Sequence, residues 1–428
     1  RGLIVVLDLW AGFSGTIHAL LALGCQCVGI AAECSPGVVA AASQAFPDLI
    51  HIPDVAQVRG AMLKDVLRKR SVHTILVGGG SPCQGNSSLN SSAKGISDPR
   101  TQQVCELQRI KTEITSVISE NCPSHSRPNL VVWLENVVGP PPVVDFYSQI
   151  MASPPLLIQA KFFGWVTRTR LYWGTVNGCA VPFQDITLPT NTQLETVSSR
   201  SQVFQSLRWT GKPVPSSCVF KNGFTWSGDP AQVAKSGRGC MVTFTTAFPH
   251  PPDRCKGLSS DTVLRFDQDG REFPPDTYTR HNLLWKDTEW RQPDADERLV
   301  LHGFPKGATM GRLPQNTDGS YSDRKAVERS RNCMVGNGFH LPSIVLFLGC
   351  LLASAQSVSV DVPRPMQDAQ ERALRTRIQG TVWQPGFVEN FPGVLGVDGL
   401  VKDIRAQFPD FDISQGTWDQ LRADLQPQ

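Results

Sequence analysis

Apolar and polar positions alternate along the first third of the chain with the rhythm of strands followed by helices. Short, almost wholly apolar runs predict strands buried on both faces, which is typical of a parallel sheet covered by helices. The predicted strands are residues 3–9, 27–32, 73–77 and 130–134. The predicted helices are residues 16–23, 38–45, 61–70 and 101–119. This order predicts an α/β fold.

The pattern changes between residues 185 and 295, where Pro, Gly, Ser and Thr become frequent and aromatic-rich runs replace helical periodicity. This composition predicts a smaller inserted module of short strands and loops. We therefore divide the chain into a main domain, an insertion, a return to the main domain and a C-terminal tail of unknown role. Their predicted bounds are residues 1–184, 185–295, 296–362 and 363–428.

Composition narrows the class of protein only slightly. The 428 residues carry a net charge of +3, but residues 200–260 hold eight Lys or Arg against two Asp or Glu. This local excess favours contact with a polyanion, although a solvated loop face is the alternative. The twelve cysteines form no paired C-x₂-C units, so we expect reduced thiols and no zinc site. No apolar run is long enough to predict a membrane span.

A cysteine stands in the loop that follows the third predicted strand, with the sequence Gly-Gly-Gly-Ser-Pro-Cys-Gln over residues 78–84. Open α/β sheets bind their ligands at the carboxyl ends of the strands. A Gly- and Pro-rich loop suits Cys83 poorly for core packing and can hold its thiol exposed as a nucleophile. When its context is ignored, a cysteine in such a loop is more often an incidental residue than a nucleophile.

Two further polar motifs follow the same logic. Glu135 ends the next apolar strand, where a carboxyl group is costly unless it has a partner or a task. Arg168 and Arg170 alternate along a predicted strand, so both can share one face and bind a carboxylate or a base oxygen. Exposed charges at strand ends are the alternative in both cases.

The first strand leads into the turn Asp-Leu-Trp-Ala-Gly-Phe-Ser-Gly at residues 8–15. Its small residues allow a ligand to approach the backbone closely, and the following helix can face a polar group. Glu33 and Asp54 follow the next two strands, and a carboxylate in such a position can bind ribose hydroxyls. A solvated strand end explains either acid equally well.

Together these motifs resemble the DNA cytosine-5 methyltransferase family, over residues 3–355. The Gly-rich turn, Pro82-Cys83-Gln84, Glu135-Asn136-Val137, Arg168-x-Arg170 and Gly336-Asn337 occur in the family's order. Details such as Leu-His-Gly-Phe-Pro at residues 301–305 are most similar to the animal de novo methyltransferases. Trp10 replaces the usual Phe, Ser14 replaces a Gly, and the Gln that normally precedes the two arginines is missing.

The resemblance implies a Rossmann-like sheet of the S-adenosylmethionine-dependent methyltransferase type, with a target-recognition domain at residues 185–295. It implies methyl transfer to C5 of cytosine in DNA, with Cys83 adding to C6 of a flipped-out base. Glu135 would hold N3 and the exocyclic amine, and Arg170 would contact O2 and brace Glu135. Arg168 would support them.

The resemblance also implies binding residues and partners. S-adenosylmethionine would contact Asp8, Trp10, Ala11, Gly12, Phe13, Ser14, Gly15, Glu33, Cys34, Asp54, Val55 and Phe339. The DNA would contact Ser81, Pro82, Gln84, Asn136 and Asn337. Double-stranded DNA is the expected partner, a homo-oligomer or a regulatory protein is a further expectation, and no membrane is expected. A nuclear location is expected from the family alone.

Three alternatives remain open. The same chemistry on tRNA is one, although that branch has a compact recognition region and a Cys-Phe-Thr signature that this sequence lacks. A non-catalytic regulatory paralogue is another, although such members tend to lose the Cys or the Glu that this chain keeps. A nicotinamide-dependent oxidoreductase would leave Pro82-Cys83-Gln84 unexplained, and the turn is not G-x-G-x-x-G.

Overall fold

The computed structural model describes residues 2–87, 90, 92–211, 219–226, 228, 239–245, 252–310 and 323–357. The predicted tail at residues 363–428 therefore lies outside the described residues. So do three of the basic side chains counted between residues 200 and 260, namely Lys212, Lys235 and Arg238.

A ten-stranded sheet forms the centre of the protein. Its strands are β1 (Leu3–Leu9), β2 (Cys27–Ala32), β3 (Ile50–Ile52), β4 (Val72–Gly80), β5 (Asn129–Val137), β6 (Leu156–Gln159), β7 (Thr169–Val176), β8 (Cys179–Ala180), β9 (Thr192–Ser199) and β10 (Gln202–Trp209). They lie in the order β3-β2-β1-β4-β5-β7-β6-β10-β9, with β8 paired to β7. The first five strands are parallel, and β7 runs antiparallel between β5 and β6. The predicted Rossmann-like α/β fold is confirmed.

Helices cover both faces of the sheet. They are α1 (Gly15–Ala22), α2 (Pro36–Ala45), α3 (Lys64–Lys69), α4 (Pro99–Gln102), α5 (Cys105–Asn121), α6 (Pro141–Met151), α7 (Ser260–Gln268), α8 (Ala295–Leu301), α9 (Arg324–Asn337) and α10 (Leu341–Ser357). Alternate residues of β1 enter two separate cores: Val6 packs with α1 and α10, while Val5 and Leu7 pack with α3, α5 and α6. Burial on both faces explains why these strands are apolar throughout.

The helical segment Lys325–Ala355 is long and apolar enough to cross a membrane by length and composition alone. However, 89% of its apolar window is buried inside the protein. Its second half, α10, packs against α1 and β7. It therefore serves as a core helix of this fold.

The insertion begins later than the sequence predicts. Residues 192–209 were expected in the module, but β9 and β10 extend the central sheet, and β10 pairs in parallel with β6. These strands are polar and half-exposed, so they lack the apolar signature of the buried strands. Farther along the chain, the hairpin of β11 (Leu284–Lys286) and β12 (Glu289–Arg291) forms a two-stranded sheet of its own. Phe266, Phe273, Tyr278 and Leu283 form a small hydrophobic cluster, against which Trp285 and Trp290 of this hairpin pack.

Candidate active site

The predicted motifs meet at one edge of the sheet because β1, β4 and β5 are parallel. The strand register pairs Asp8 with Gly78 and Gly80 with Glu135. The loop that carries Cys83 leaves β4 directly beside the end of β5. Since β7 is antiparallel, its first residues reach the same edge, and Arg170 pairs with Val137.

Gly80 must be a glycine for these side chains to come together. A Cβ atom at this position would lie 2.8 Å from Cε1 of Phe339 and 3.0 Å from Oε2 of Glu135. Contacts this short are rarely tolerated between a Cβ and its neighbours, so a larger residue would push the Glu135 carboxylate or the Phe339 ring away. The glycine run before Cys83 therefore has a packing reason as well as a conformational one.

Glu135 and Arg170 form a largely buried ion pair. Nε of Arg170 lies 2.9 Å from Oε1 of Glu135, in the geometry of an ion pair rather than an aligned hydrogen bond. Nη1 of Arg170 donates to the carbonyl of Thr169 at 2.8 Å. Tyr172, beside Glu135 in register, is fully buried, and burial together with the Glu135 charge raises its pKa. The tyrosine stays neutral, so Arg170 is the charge that faces the carboxylate.

Cys83 is half-buried in a tight turn. Its carbonyl accepts the backbone N–H groups of Asn86 and Ser87, each at 2.9 Å. Arg100 and Arg168 both interact electrostatically with the Cys83 sulfur. Two guanidinium groups therefore lie in the electrostatic surroundings of this sulfur.

The side chains of Ser81 and Asn136, both expected to contact a substrate, bind each other instead. The Asn136 amide donates to the carbonyl of Ser81 at 3.0 Å and to its hydroxyl at 2.9 Å. Both residues are buried. Of the other residues expected to contact the DNA, Pro82 is half-buried, whereas Gln84 and Asn337 are exposed, Asn337 at the end of α9.

Arg168 and Arg170 bind different groups, although the sequence places both on one face of a strand. The fully buried Arg168 guanidinium donates to the carbonyls of Gly336 at 3.2 Å and Gly338 at 2.7 Å. Burial, followed by the charge of Arg170, lowers its pKa to about 10, so it remains charged at neutral pH. Arg168 thus ties the start of β7 to the junction between α9 and α10, which carries Phe339.

Replacing Arg168 with alanine is expected to lower the free energy of unfolding by about 3 kcal/mol or more, because it removes the hydrogen bonds of two partly buried carbonyls and leaves a cavity where the buried side chain was. Urea denaturation measures this loss. Arg271, which pairs with Asp267 on the surface, is the control, and Arg271→Ala should cost about 0–1 kcal/mol. Equal stability losses in the two variants would contradict the assignment of Arg168 as a buried clamp.

The turn after β1 is open to a ligand at its centre. Trp10, Gly12 and Ser14 all have left-handed backbone conformations, with φ of 52°, 56° and 63°. A Cβ atom at Gly12 would meet no other atom within 4 Å. Glu33 stabilises this turn, accepting the N–H of Gly12 at 3.1 Å and that of Ser35 at 2.8 Å. The exposed Asp54 lies at the end of β3 and accepts the N–H of Ala56 at 2.9 Å.

Several residues of this turn face the core rather than a ligand. The Phe13 ring packs against Phe304, with centroids 4.7 Å apart. Asp8 is wholly buried and accepts a hydrogen bond from Thr16. Burial, with a smaller contribution from the Glu33 charge, raises the pKa of Asp8 well above its usual value, although the bond from Thr16 lowers it. The side chains of Asp8 and Phe13, with those of the buried Ala11 and Ser14, therefore support the turn, and their contact with a cofactor stays a prediction.

The remaining residues assigned to a cofactor have mixed positions. Cys34 is exposed beside Glu33, while Val55 is buried. Phe339 packs against Trp133 with ring centroids 5.6 Å apart, and a Cβ at Gly15 would lie 2.5 Å from its Cδ2 atom. Phe339 therefore closes the space between the first helix and the strand ends.

Some residues of the site were not anticipated from the sequence. Tyr147, Asn86 and Thr101 form a buried hydrogen-bonded group beneath the Cys83 loop. His302 and His340 lie buried near Arg168, and burial, with the charge of Arg168, lowers their pKa, that of His340 to about 3. No local sequence pattern predicts these contacts, because the partners are far apart along the chain. The two partners of the Asn86 side chain, Thr101 and Tyr147, lie 15 and 61 residues away from it.

Part of the basic excess of residues 200–260 is neutralised. Nζ of Lys221 lies 3.0 Å from Asp294 and 3.1 Å from Asp296. Arg208 lies 3.6 Å from Glu195, and its guanidinium covers the ring of Phe162. Lys221 and Arg208 are therefore paired with acidic side chains. The net charge of this segment overstates the positive charge that these two residues could present to a polyanion. Within the described part of the chain, no cluster of His, Cys, Asp and Glu is arranged to hold a metal ion.

No protein-family model and no curated protein matches the chain. Among solved structures, it is similar to a methyltransferase from Entamoeba histolytica (14% identity, TM-score 0.47, 83% of this chain and 99% of that one). It is also similar to a DNMT2 mutant from Spodoptera frugiperda (16%, 0.45, 81% and 99%) and to the S. pombe Dnmt2 methyltransferase (13%, 0.43, 82% and 99%). Similarities of this strength do not identify a family or an activity.

Proposed function

We propose that this chain transfers a methyl group from S-adenosylmethionine to C5 of cytosine in DNA, with Cys83 as the nucleophile. The observation that carries the proposal is the register of β4 and β5, which pairs Gly80 with Glu135. It brings the Cys83 loop and the Glu135–Arg170 ion pair to one edge, beside the open turn at residues 10–15.

The residues around that turn fit an adenosine-containing donor. Each carboxylate oxygen of Glu33 accepts one backbone N–H, which leaves lone pairs for ribose hydroxyls. The open backbone at Gly12 allows close approach, and Asp54, at the end of a neighbouring strand, can accept from an adenine amine. When bound, S-adenosylmethionine supplies an electrophilic methyl group.

The chain's own residues prepare the pyrimidine. The Cys83 thiolate adds to C6, a C6–S bond forms, and the electron pair of the C5–C6 double bond becomes available at C5. Glu135, held by Arg170, binds N3 and stabilises protonation there as charge builds in the ring. After C5 is methylated, a base takes the C5 proton, the electron pair re-forms the C5–C6 double bond, and the C6–S bond breaks to return the thiolate.

Duplex DNA is the acceptor we favour. C5 and C6 of a stacked base are not accessible to a thiol, so the target base must leave the helix. We assign target recognition to residues 185–295, which stand between Arg170 and the Gly336-Asn337 motif along the chain. The motif residues are most similar to the animal de novo branch, and a nuclear location and pairing with another subunit are proposed on the same resemblance.

The test is methyl transfer from labelled S-adenosylmethionine to unmodified duplex DNA, hemimethylated duplex DNA and tRNA. Incorporation into duplex DNA is expected. Incorporation into tRNA alone would replace DNA by RNA as the acceptor. Donor binding without transfer to any acceptor would favour the non-catalytic paralogue.

Replacing Glu33 with alanine is expected to raise the dissociation constant of S-adenosylmethionine by about 10- to 100-fold, since a charge-assisted hydrogen bond is worth about 1.5–3 kcal/mol. The maximal rate at saturating donor should change far less. Calorimetry and steady-state kinetics measure the two quantities. Glu120→Ala, at an exposed position in α5, is the control and should leave both unchanged. Unchanged donor affinity in Glu33→Ala would contradict the site.

A further inference from the structure

Tyr147 binds the Cys83 loop from the interior of the protein through its hydroxyl. We propose that Tyr147 is a positioning residue for Cys83, an inference that rests on the proposed role of that cysteine. Tyr147 lies on α6 and is 1% exposed. Its hydroxyl accepts Nδ2 of Asn86 at 2.8 Å and Nδ2 of Asn136 at 3.5 Å.

The two asparagines attach this hydroxyl to both sides of the nucleophile. Asn136 donates to the carbonyl and hydroxyl of Ser81, two residues before Cys83. Asn86 follows Cys83 by three residues, donates its backbone N–H to the Cys83 carbonyl at 2.9 Å, and accepts from the hydroxyl of Thr101 at 2.8 Å. The Tyr147 hydroxyl is thus the point at which the restraints on the two ends of the turn meet.

Tyr147 is itself held rigidly. Its ring packs edge-on against Trp173 of β7, with centroids 5.6 Å apart and planes at 85°. Nε1 of Trp173 donates to the hydroxyl of Ser148, the next residue of α6, at 2.9 Å. Burial raises the pKa of Tyr147, so the hydroxyl stays protonated. The hydroxyl also interacts electrostatically with the Cys83 sulfur. The anchor is therefore neutral, buried and close to the sulfur.

The loop needs such an anchor because its own side chains provide little packing. It consists of Gly, Ser, Pro, Gln and Asn around the cysteine. Gly85 allows Thr101 and Asp98 to approach the loop. A Cβ atom at Gly85 would lie 2.5 Å from Oγ1 of Thr101 and 2.7 Å from Cβ of Asp98. We therefore expect hydrogen bonds to set the position of the sulfur, and an error of about 1 Å in a reacting group can cost about 100-fold in rate.

The experiment compares Tyr147→Phe with the wild-type chain. We expect kcat for methyl transfer to fall by between about 10- and 100-fold, while the dissociation constant of S-adenosylmethionine stays unchanged. Hydrogen exchange of the peptide that contains the Asn86 and Ser87 amides should accelerate by about fivefold or more, because a hydrogen bond that restrains the loop is lost. Thr101→Val should act in the same direction, and the double variant should be less than additive because both changes act through Asn86.

Gln149→Ala is the matched control. Gln149 lies on the same helix as Tyr147 at an exposed position. It should leave loop exchange and kcat unchanged. The proposal would be overturned if Tyr147→Phe matched this control in both measurements. It would also be overturned if Tyr147→Phe lost affinity for S-adenosylmethionine as strongly as it lost kcat. If the wild-type chain transferred no methyl group, the proposed function would fail, whereas loop exchange would still report whether Tyr147 holds the loop.

Discussion

Replacing Cys83 with serine is expected to reduce methyl transfer to below about one-thousandth of the wild-type rate, the scale of loss seen when a nucleophile is removed. A hydroxyl is far less acidic than a thiol, so at neutral pH it supplies almost no anion to add at C6. The substitution changes one atom of a half-buried side chain. The turn is held by the backbone carbonyl of residue 83, so the loop should keep its shape.

This result is decisive only if folding and donor binding survive. Thermal unfolding and the affinity for S-adenosylmethionine should match the wild-type chain. Cys179→Ser is the control. Cys179 is exposed on β8, which pairs with the end of β7 that lies farthest from Arg170. Transfer that persisted in Cys83→Ser would refute the nucleophile, and equal losses in both variants would point to a general effect of cysteine removal.

Replacing Glu135 with glutamine is expected to lower kcat by about 10²- to 10⁴-fold, the usual contribution of a positioned acid or base. Glutamine keeps the shape of the side chain but has no negative charge to stabilise a protonated N3. The same change deprives Arg170 of its partner, and both side chains are largely buried. Removing one member of a buried pair typically costs about 3–5 kcal/mol, so stability should fall as well.

The two effects of this substitution can be separated. Steady-state rates are measured at a temperature where urea denaturation shows that the variant is folded. Glu195→Gln on β9 is the control, because its carboxylate lies 3.6 Å from Arg208 at the far edge of the sheet. That variant should lose little activity. A Glu135→Gln protein that was folded and fully active would show that the carboxylate has only a structural role.

The electrostatics of the site depend on the different binding partners of its two arginines. Arg168 serves backbone carbonyls and leaves Arg170 as the partner of Glu135. His302 and His340 are buried close to Arg168, and burial together with its charge keeps both histidines neutral. The Glu135 carboxylate therefore contacts the Arg170 guanidinium directly, and Arg168 also interacts with it electrostatically.

The sequence by itself determined four parallel strands of the sheet and the place of Cys83 and Glu135 after two of them. Strands β1, β2, β4 and β5 are recognisable because burial on both faces demands a continuous apolar run, which is a local property. Cys83 and Glu135 follow two such strands directly. Parallel strands place their carboxyl ends at one edge, so the meeting of these side chains could be expected before any coordinates.

Only the tertiary structure decided what each side chain binds. The separation of Arg168 from Arg170 depends on carbonyls at residues 336 and 338, and the inward turn of Asn136 depends on Ser81. The place of β9 and β10 in the sheet depends on pairing with β6, and the role of Tyr147 on partners in two distant segments. Hydrogen bonds between remote residues leave no periodic pattern in a sequence, whereas burial of whole strands does.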